Sequence, residues 1–264
     1  MINDLIYVYC VSDHHPGPEC DLTSMGLNML SINDFIVFFK YVSQSEFSEE
    51  NLKKNLSDIQ WLETNAREHF RIISLIMEKW DVIPFRFGTI YNSPDSLTKF
   101  IADYSDSLIT NFDFIRGREE WAVKIYCDRQ ALSKQIDELS EKAAAMEKLI
   151  MASSPGKAFL LRRKKNDLVE NEMDWLCNKY GQDYYDEFKD LSVSIHLNNL
   201  LPKEFTGRDD TMILNTTFLV NKDKVADFIH AADDLREKDE NSGFSIEVTG
   251  PWPPFNFICI KEKQ

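Results

Sequence analysis

The stretch WAVKIYC, Trp121–Cys127, alternates in the manner of a β-strand and decides how the second half of the chain is interpreted. After Asp128 the period changes, and apolar residues recur every three or four positions, which predicts an amphipathic helix. These positions are Leu132, Ile136, Leu139, Ala143, Met146 and Ile150. At 1.5 Å per residue the helix would be roughly 35 Å long. A strand followed by a long helix is therefore expected here.

Downstream of this pair the pattern continues through a helical insertion and four further strands, of which the last two flank Gly250–Pro254. Ser153–Gly156 interrupts the first helix, and a second helical tract begins near Lys157. Strands are predicted at Leu191–Leu197, Met212–Val220, Phe244–Val248 and Phe255–Ile260, with a helix at Asn221–Lys238. Up to Phe244–Val248 the order is β-α-β-β-α-β with a helical insert at about 153–190, which is the ferredoxin-like connectivity. It implies an antiparallel sheet with helices on one face.

The first half of the chain also mixes strands and helices. Strands are predicted at Leu5–Val11, Leu27–Leu30 and Phe35–Val42, and one long amphipathic helix is predicted from Leu52 to Trp80. Ser93 followed by Pro94 is a helix N-cap signal. We place a boundary before Gly117 and predict two α+β domains, at 1–116 and 117–264. The fold class is α+β.

Composition limits the classes of function. The chain has 264 residues, of which 30 are Lys or Arg and 44 are Asp or Glu, so the formal net charge is −14. Such a charge disfavours binding to nucleic acid and to an anionic membrane surface. No apolar stretch is long enough to span a bilayer, and the five cysteines are scattered singly, as reduced thiols are. These features predict a cytoplasmic protein.

Motifs that carry chemistry are absent. No phosphate-binding loop, dinucleotide fingerprint, zinc-protease motif or nucleophile elbow occurs, and glycine numbers only nine. His14, His15 and Cys20 have spacing that could touch a metal, but a solvated loop is the favoured interpretation. His69, on the apolar side of a predicted helix, is interpreted as a satisfied, partly buried histidine. The missing motifs argue against the commonest motif-bearing enzyme classes, though not against all enzymes, and no metal site is predicted.

Basic residues cluster once in this acidic chain, at Arg162-Arg163-Lys164-Lys165. One interpretation is a solvated helix face. The other is a docking surface for an acidic partner, in which charge would set register and association rate. The sequence alone leaves both open, so Arg162 and Arg163 are kept as interaction candidates.

The segment IPFRFGTIY, Ile83–Tyr91, contains an arginine between two aromatic residues. In an extended chain Arg86 points away from Phe85 and Phe87, and we predict that it pairs with a buried carboxylate. A glycine follows at Gly88, where the chain could turn.

Two further segments are unusually rich in aromatic and proline residues. The first is GREEWAVKIY, Gly117–Tyr126, with Trp121 at its centre. The second is TGPWPPF, Thr249–Phe255, in which three prolines fix an extended loop around Trp252. Trp252 either plugs the core or forms an aromatic recognition surface.

These segments resemble the gas vesicle protein family GvpF/GvpL. The matching stretches are IPFRFGTIY (83–91), GREEWAVKIY (117–126), GKAFLLRRK (156–164), LNTTFLV (214–220) and TGPWPPFNF (249–257), with a weaker match at LIYVYCV (5–11). His69 falls where that family tends to carry a helix histidine. Two departures stand out, because Cys10 replaces an expected glycine and Phe255 replaces a usual tyrosine.

The resemblance implies an accessory protein of gas vesicle formation, located in the cytoplasm and associated with vesicles. Gas vesicles are hollow protein shells built from a small, very hydrophobic subunit. The family implies two α+β domains, contact with that shell subunit and with other accessory proteins, and no enzymatic activity or cofactor. The resulting interaction candidates are Phe85, Arg86, Phe87, Trp121, Arg162, Arg163, Trp252 and Phe255.

The alternative function is a small-molecule sensor or enzyme that uses the ferredoxin-like sheet as a platform, since one fold hosts many functions. A deep pocket holding Arg86, His69 and a carboxylate would favour it. A flat apolar face with a shallow groove would favour the assembly role.

Overall fold

The structure, a computed structural model, describes residues 4–14, 26–239 and 242–260. Contacts divide the chain into two compact units. The first unit runs up to Glu120 and resumes at Pro251, and the second unit is Trp121–Gly250. The predicted division before Gly117 lies close to the first of these limits. The C-terminal segment differs from expectation, because Ile258 and Ile260 pack against a core of the first unit.

The first unit is built on a five-stranded sheet. Its strands are β1 (Leu5–Ser12), β2 (Asn28–Ile32), β3 (Phe35–Val42), β4 (Val82–Pro84) and β5 (Ile90–Tyr91). The order is β2-β3-β1-β4, and β5 also pairs with β1. The predicted turn between β2 and β3 is confirmed, with Asn33 at a positive φ of 53°. Every residue of β1 is buried, because the strand lies inside the sheet and contributes to a core on each face.

Helices cover both faces of this sheet. They are α1 (Gln44–Phe47), α2 (Glu49–Asn55), α3 (Ile59–Met77), α4 (Pro94–Asp103) and α5 (Ser105–Ile115). Apolar residues of α3 join the core that contains Tyr7, and those of α4 and α5 join the core that contains Val8. The predicted N-cap at Ser93 is confirmed. The single helix predicted from Leu52 to Trp80 is wrong, because the Asp58 carboxylate caps the first turn of α3 and starts a new helix.

The second unit is built on a four-stranded sheet. Its strands are β6 (Arg118–Cys127), β7 (Ser194–Leu197), β8 (Thr211–Asn221) and β9 (Phe244–Trp252), in the order β7-β8-β6-β9. Its helices are α6 (Arg129–Leu139), α7 (Glu141–Met151), α8 (Pro155–Asp190), α9 (Lys203–Thr206) and α10 (Val225–Lys238). Along the chain these elements follow one another as β6, α6, α7, α8, β7, α9, β8, α10 and β9. The mixture of helices and strands agrees with the predicted α+β class.

Two predictions for this part of the chain are wrong. The helix after Asp128 is divided at Ser140, whose hydroxyl accepts the Ala143 N–H and donates to Glu172. The strand predicted at Phe255–Ile260 does not form, because β9 ends at Trp252 and two prolines follow it. Proline has no N–H to donate to a strand ladder, so sheet pairing stops there.

Candidate functional site

A buried histidine connects helix α3 to the turn of the IPFRFGTIY segment. His69 is 1% exposed. Its Nε2 lies 3.0 Å from the Phe85 carbonyl oxygen and its Nδ1 lies 2.9 Å from the Tyr7 hydroxyl. The Gly88 N–H also donates to that hydroxyl, at 3.2 Å. Since a carbonyl oxygen only accepts, Nε2 carries the proton, and the Tyr7 hydroxyl donates to Nδ1. The prediction of a satisfied histidine is confirmed.

Burial sets the protonation state of this network. It lowers the pKa of His69 to about 4, against a usual value near 6.5, because the imidazolium would lose its hydration. Burial also raises the pKa of the Tyr7 hydroxyl. The network is therefore uncharged at neutral pH and fixes the position of the turn through both Phe85 and Gly88.

The turn itself projects an arginine outward. Thr89 donates its N–H and its hydroxyl to the Arg86 carbonyl oxygen, at 3.1 and 2.7 Å, and Gly88 takes a φ of +81° that favours glycine. Arg86 is exposed, and no carboxylate of the described residues pairs with its guanidinium. The predicted ion pair with a buried carboxylate is wrong, because the turn directs the side chain away from the core.

A groove of about 350 Å³ with both polar and apolar surface lies beside this turn, within the first unit. We call it the aromatic groove. It is lined by Pro84, Phe85, Arg86, Thr89, Tyr91, Phe100, Phe255, Ile258 and Ile260. The Phe100 ring lies 5.8 Å from the Phe85 ring and 5.7 Å from the Tyr91 ring, measured between centroids. The groove therefore offers aromatic surface together with one exposed cation.

Two buried polar side chains hold the C-terminal wall of the groove in place. The Glu120 carboxylate accepts the Asn256 N–H at 3.1 Å and its side-chain amide at 2.7 Å. The Asn111 amide accepts the Cys259 N–H at 2.9 Å and donates to the Cys259 carbonyl at 3.1 Å. Burial raises the pKa of the Glu120 carboxyl to about 7. These hydrogen bonds hold residues 256–259 in place, although this segment does not pair with any strand as a β-strand would.

The other predicted site residues lie outside the groove. Trp252 is 43% exposed, so it does not plug the core. Phe87 is half-buried, with its ring 5.6 Å from that of His69. In the second unit, Trp121 packs against the core, while Arg162 and Arg163 are exposed on α8. Of the predicted candidates, the structure brings together Phe85, Arg86 and Phe255.

The sequence analysis missed several groove residues and also Asn111 and Glu120, the two buried side chains that hold the C-terminal wall of the groove. Tyr91 lies inside the IPFRFGTIY segment and could have been included with it. Asn111 precedes Phe112 on the buried side of α5, and a polar residue on an apolar helix face is a signal for a specific bond. Glu120 lies within the GREEWAVKIY segment, but its bonds to Asn256 join residues far apart in the sequence, and no local pattern indicates them. Phe100 and Ile258 have no local signal, because their role arises from tertiary contact.

The described part of the chain contains neither a metal-binding cluster of side chains nor a membrane-spanning helix. Within residues 4–14, 26–239 and 242–260, no group of three or more His, Cys, Asp or Glu side chains is placed to hold a metal ion. His14 is exposed with Nδ1 near Asp13, whereas His15 and Cys20 lie outside the described residues. None of the described helices combines the length and the hydropathy needed to cross a bilayer.

The Tyr7→Phe variant is expected to lose about 1–3 kcal/mol of folding free energy. The change removes the hydroxyl that serves both His69 and Gly88, and it leaves their buried polar groups without that partner. Urea unfolding measures the loss. Tyr41→Phe is the control, because Tyr41 is largely exposed, and its cost is expected to stay below about 0.5 kcal/mol. Equal stability of the two variants would contradict the role given to Tyr7.

Comparison with solved structures identifies the fold. A crystal structure of the gas vesicle protein GvpF from Anabaena sp. PCC7120 matches 98% of this chain and 100% of its own, with a TM-score of 0.70 and 17% sequence identity. GvpF from Microcystis aeruginosa matches with a TM-score of 0.64 and 17% identity, covering 97% of this chain and 99% of its own. The fold is thus that of gas vesicle proteins of the GvpF type.

Sequence comparison identifies the protein family. The family described as gas vesicle synthesis protein GvpL/GvpF matches residues 5–259. Gas vesicle protein L of Streptomyces sp. (strain CB03234) is 25% identical over 98% of this chain and 95% of its own length. Gas vesicle protein F1 of Halobacterium salinarum is 41% identical over 77% of this chain and 73% of its own length. The chain belongs to the GvpL/GvpF family.

Proposed function

We propose that this protein is a cytoplasmic accessory factor of gas vesicle formation that binds the hydrophobic shell subunit through the aromatic groove. The observation that supports the groove as the contact is its lining, which combines the rings of Phe85, Phe100 and Phe255 with the exposed guanidinium of Arg86. Family membership supports the wider role, including contact with other accessory proteins.

The physical basis is the covering of apolar surface. A shell subunit with a strongly apolar face aggregates when that face is left in water. Burial of apolar area contributes about 25 cal/mol per Å² before the costs of association are subtracted, so the aromatic rings of the groove are the part of its lining expected to favour such a partner. The net charge of −14 keeps the resulting complex dispersed by mutual repulsion.

The small-molecule alternative gains no support from the residues on which it depended. His69 is enclosed and donates to a backbone carbonyl, whereas Arg86 faces solvent, so the two do not meet in one pocket. We therefore propose a binding role without a chemical step.

We propose that Trp252, which is exposed and lies three residues before the groove residue Phe255, extends this contact beyond the groove. The Trp252→Ala variant is therefore expected to weaken capture of the shell subunit by about tenfold, as loss of an exposed aromatic contact does. Affinity-tagged protein and purified shell subunit are compared in a pull-down titration. The matched control is Trp175→Ala, because Trp175 is similarly exposed but belongs to the second unit. Unchanged capture by folded Trp252→Ala would remove this loop from the interface, and no capture by the unmodified protein would overturn the proposed function.

A further inference from the structure

The helical insertion ends in a tip with an unusual surface. Helix α7 ends at Met151 and helix α8 begins at Pro155, so the chain reverses over three residues. We call residues 148–166 the hairpin tip. It lies wholly within the second unit and shares no residue with the aromatic groove.

The hairpin tip is basic in an acidic protein. Residues 148–166 contain six Lys or Arg and no Asp or Glu, while the whole chain has a net charge of −14. All six positions fall on the end of α7 or on the first turns of α8. The charge is therefore concentrated on one end of the insertion and is not spread along its helices.

Within the basic run 162–165, one cation is structural and the other three pair with no carboxylate of the described residues. The Lys165 ammonium lies 2.7 Å from the Asp137 carboxylate and 2.8 Å from the Glu147 carboxylate, so it holds α8 against α6 and α7. By contrast, Arg162, Arg163 and Lys164 are exposed, and no carboxylate within the described ranges pairs with them. The basic run thus divides into one packing residue and three available ones.

Large apolar side chains are exposed beside these cations. Met151 is 77% exposed, Phe159 is 72% exposed and Leu160 is 64% exposed. Residues three and four apart are neighbours on a helix surface, so Phe159 lies next to Arg163 and Leu160 lies next to Lys164. A single bound partner could therefore contact Phe159 or Leu160 and the neighbouring cation at the same time.

We propose that the hairpin tip is a docking site for an acidic, amphipathic segment of a partner polypeptide. Apolar side chains of that segment cover Phe159 and Leu160, and its carboxylates pair with the three free cations, which fixes orientation and speeds association. A short segment can contact the tip alone. A bilayer with anionic lipids would also face the acidic remainder of the chain, which opposes the approach.

The test uses the full chain and a synthetic helical peptide of about 18 residues, with leucine on one face and glutamate on the other. Binding is followed by fluorescence anisotropy. The glutamate peptide is expected to bind at least about tenfold more tightly than the same peptide with lysine, and the difference is expected to shrink as salt is raised from about 0.05 to 0.3 M. Vesicles containing anionic lipid form a second arm of the experiment.

Two sets of variants locate the site. Reversal of the three cations (Arg162→Glu, Arg163→Glu, Lys164→Glu) is expected to weaken peptide binding at least about tenfold, whereas reversal of the exposed lysines 54, 134 and 238 gives the same net charge with little effect. Phe159→Ser is expected to weaken binding, and Phe205→Ser, at a comparably exposed phenylalanine, is the control.

Four outcomes would overturn the proposal. They are equal binding of the two peptides, equal effects of the two charge reversals, binding to anionic vesicles without binding to the peptide, and self-association that Phe159→Ser abolishes in the absence of peptide. Each can occur while shell-subunit capture through Trp252 stays normal, so failure here is distinguishable from failure of the proposed function.

Discussion

The His69→Gln variant is expected to lose an acid sensitivity that the unmodified protein has. In the folded protein burial lowers the pKa of His69 to about 4, while in the unfolded chain it is close to 6.5. Between these values the unfolded state binds a proton that the folded state does not, so stability falls as the pH falls. From pH 7.5 to pH 5 the cost is about 2 kcal/mol, and it reaches about 3 kcal/mol by pH 4.

The measurement is the free energy of unfolding in urea for both proteins across that pH range. The difference in unfolding free energy between the two proteins isolates His69. Glu120 also makes stability depend on pH, in the opposite direction to His69, but it does so equally in both proteins and cancels in the difference. Its pKa is raised to about 7, so the folded state keeps a proton that the unfolded state releases above pH 4.5, and stability falls as the pH rises. A difference between the two proteins that does not change with pH would contradict the buried neutral imidazole.

The Phe255→Asp variant is expected to weaken shell-subunit binding at least about hundredfold, which is the range of a central hot-spot residue. The ring of Phe255 lies 5.4 Å from that of Phe70 and lines the aromatic groove. An aspartate there removes the apolar contact and places an unpaired carboxylate where the partner would be desolvated, which costs more than loss of the ring alone.

Competition pull-downs against unlabelled protein measure this effect. Phe255→Tyr keeps the ring and is expected to bind normally, which separates loss of the contact from damage to the fold. Phe205→Asp introduces the same charge at an exposed position of the second unit and is expected to bind normally. Near-normal binding by a folded Phe255→Asp variant would exclude the groove as the interface.

Much of the fold could be predicted from local sequence signals. The apolar run Leu5–Val11 correctly predicted strand β1, and the Asn33-Asp34 turn signal correctly predicted the β2–β3 hairpin. The N-cap signal at Ser93 correctly predicted the start of helix α4. The breaks at Asp58 and Ser140 were missed, because a polar cap inside an unbroken helical period does not disturb the spacing of the apolar residues.

The candidate site was predictable only in part. The sequence singled out Phe85, Arg86 and Phe255 because they lie in segments rich in aromatic and proline residues. It did not indicate that the IPFRFGTIY and TGPWPPF segments meet in the fold. Their meeting depends on Asn111 and Glu120, which bind backbone atoms of the C-terminal segment. The ion pair of Arg86 was predicted wrongly, because the side chain lies opposite the buried Phe85 but on the exposed side of the turn, where no carboxylate of the described residues pairs with it.

The central claim is that this protein shields the apolar surface of the shell subunit. The most direct measurement dilutes denatured shell subunit into buffer and follows, by light scattering and sedimentation, how much stays in solution. With the protein present, we expect the subunit to remain in the supernatant and to elute with it as one complex. Sedimentation of the subunit to the same extent as with serum albumin would contradict the claim.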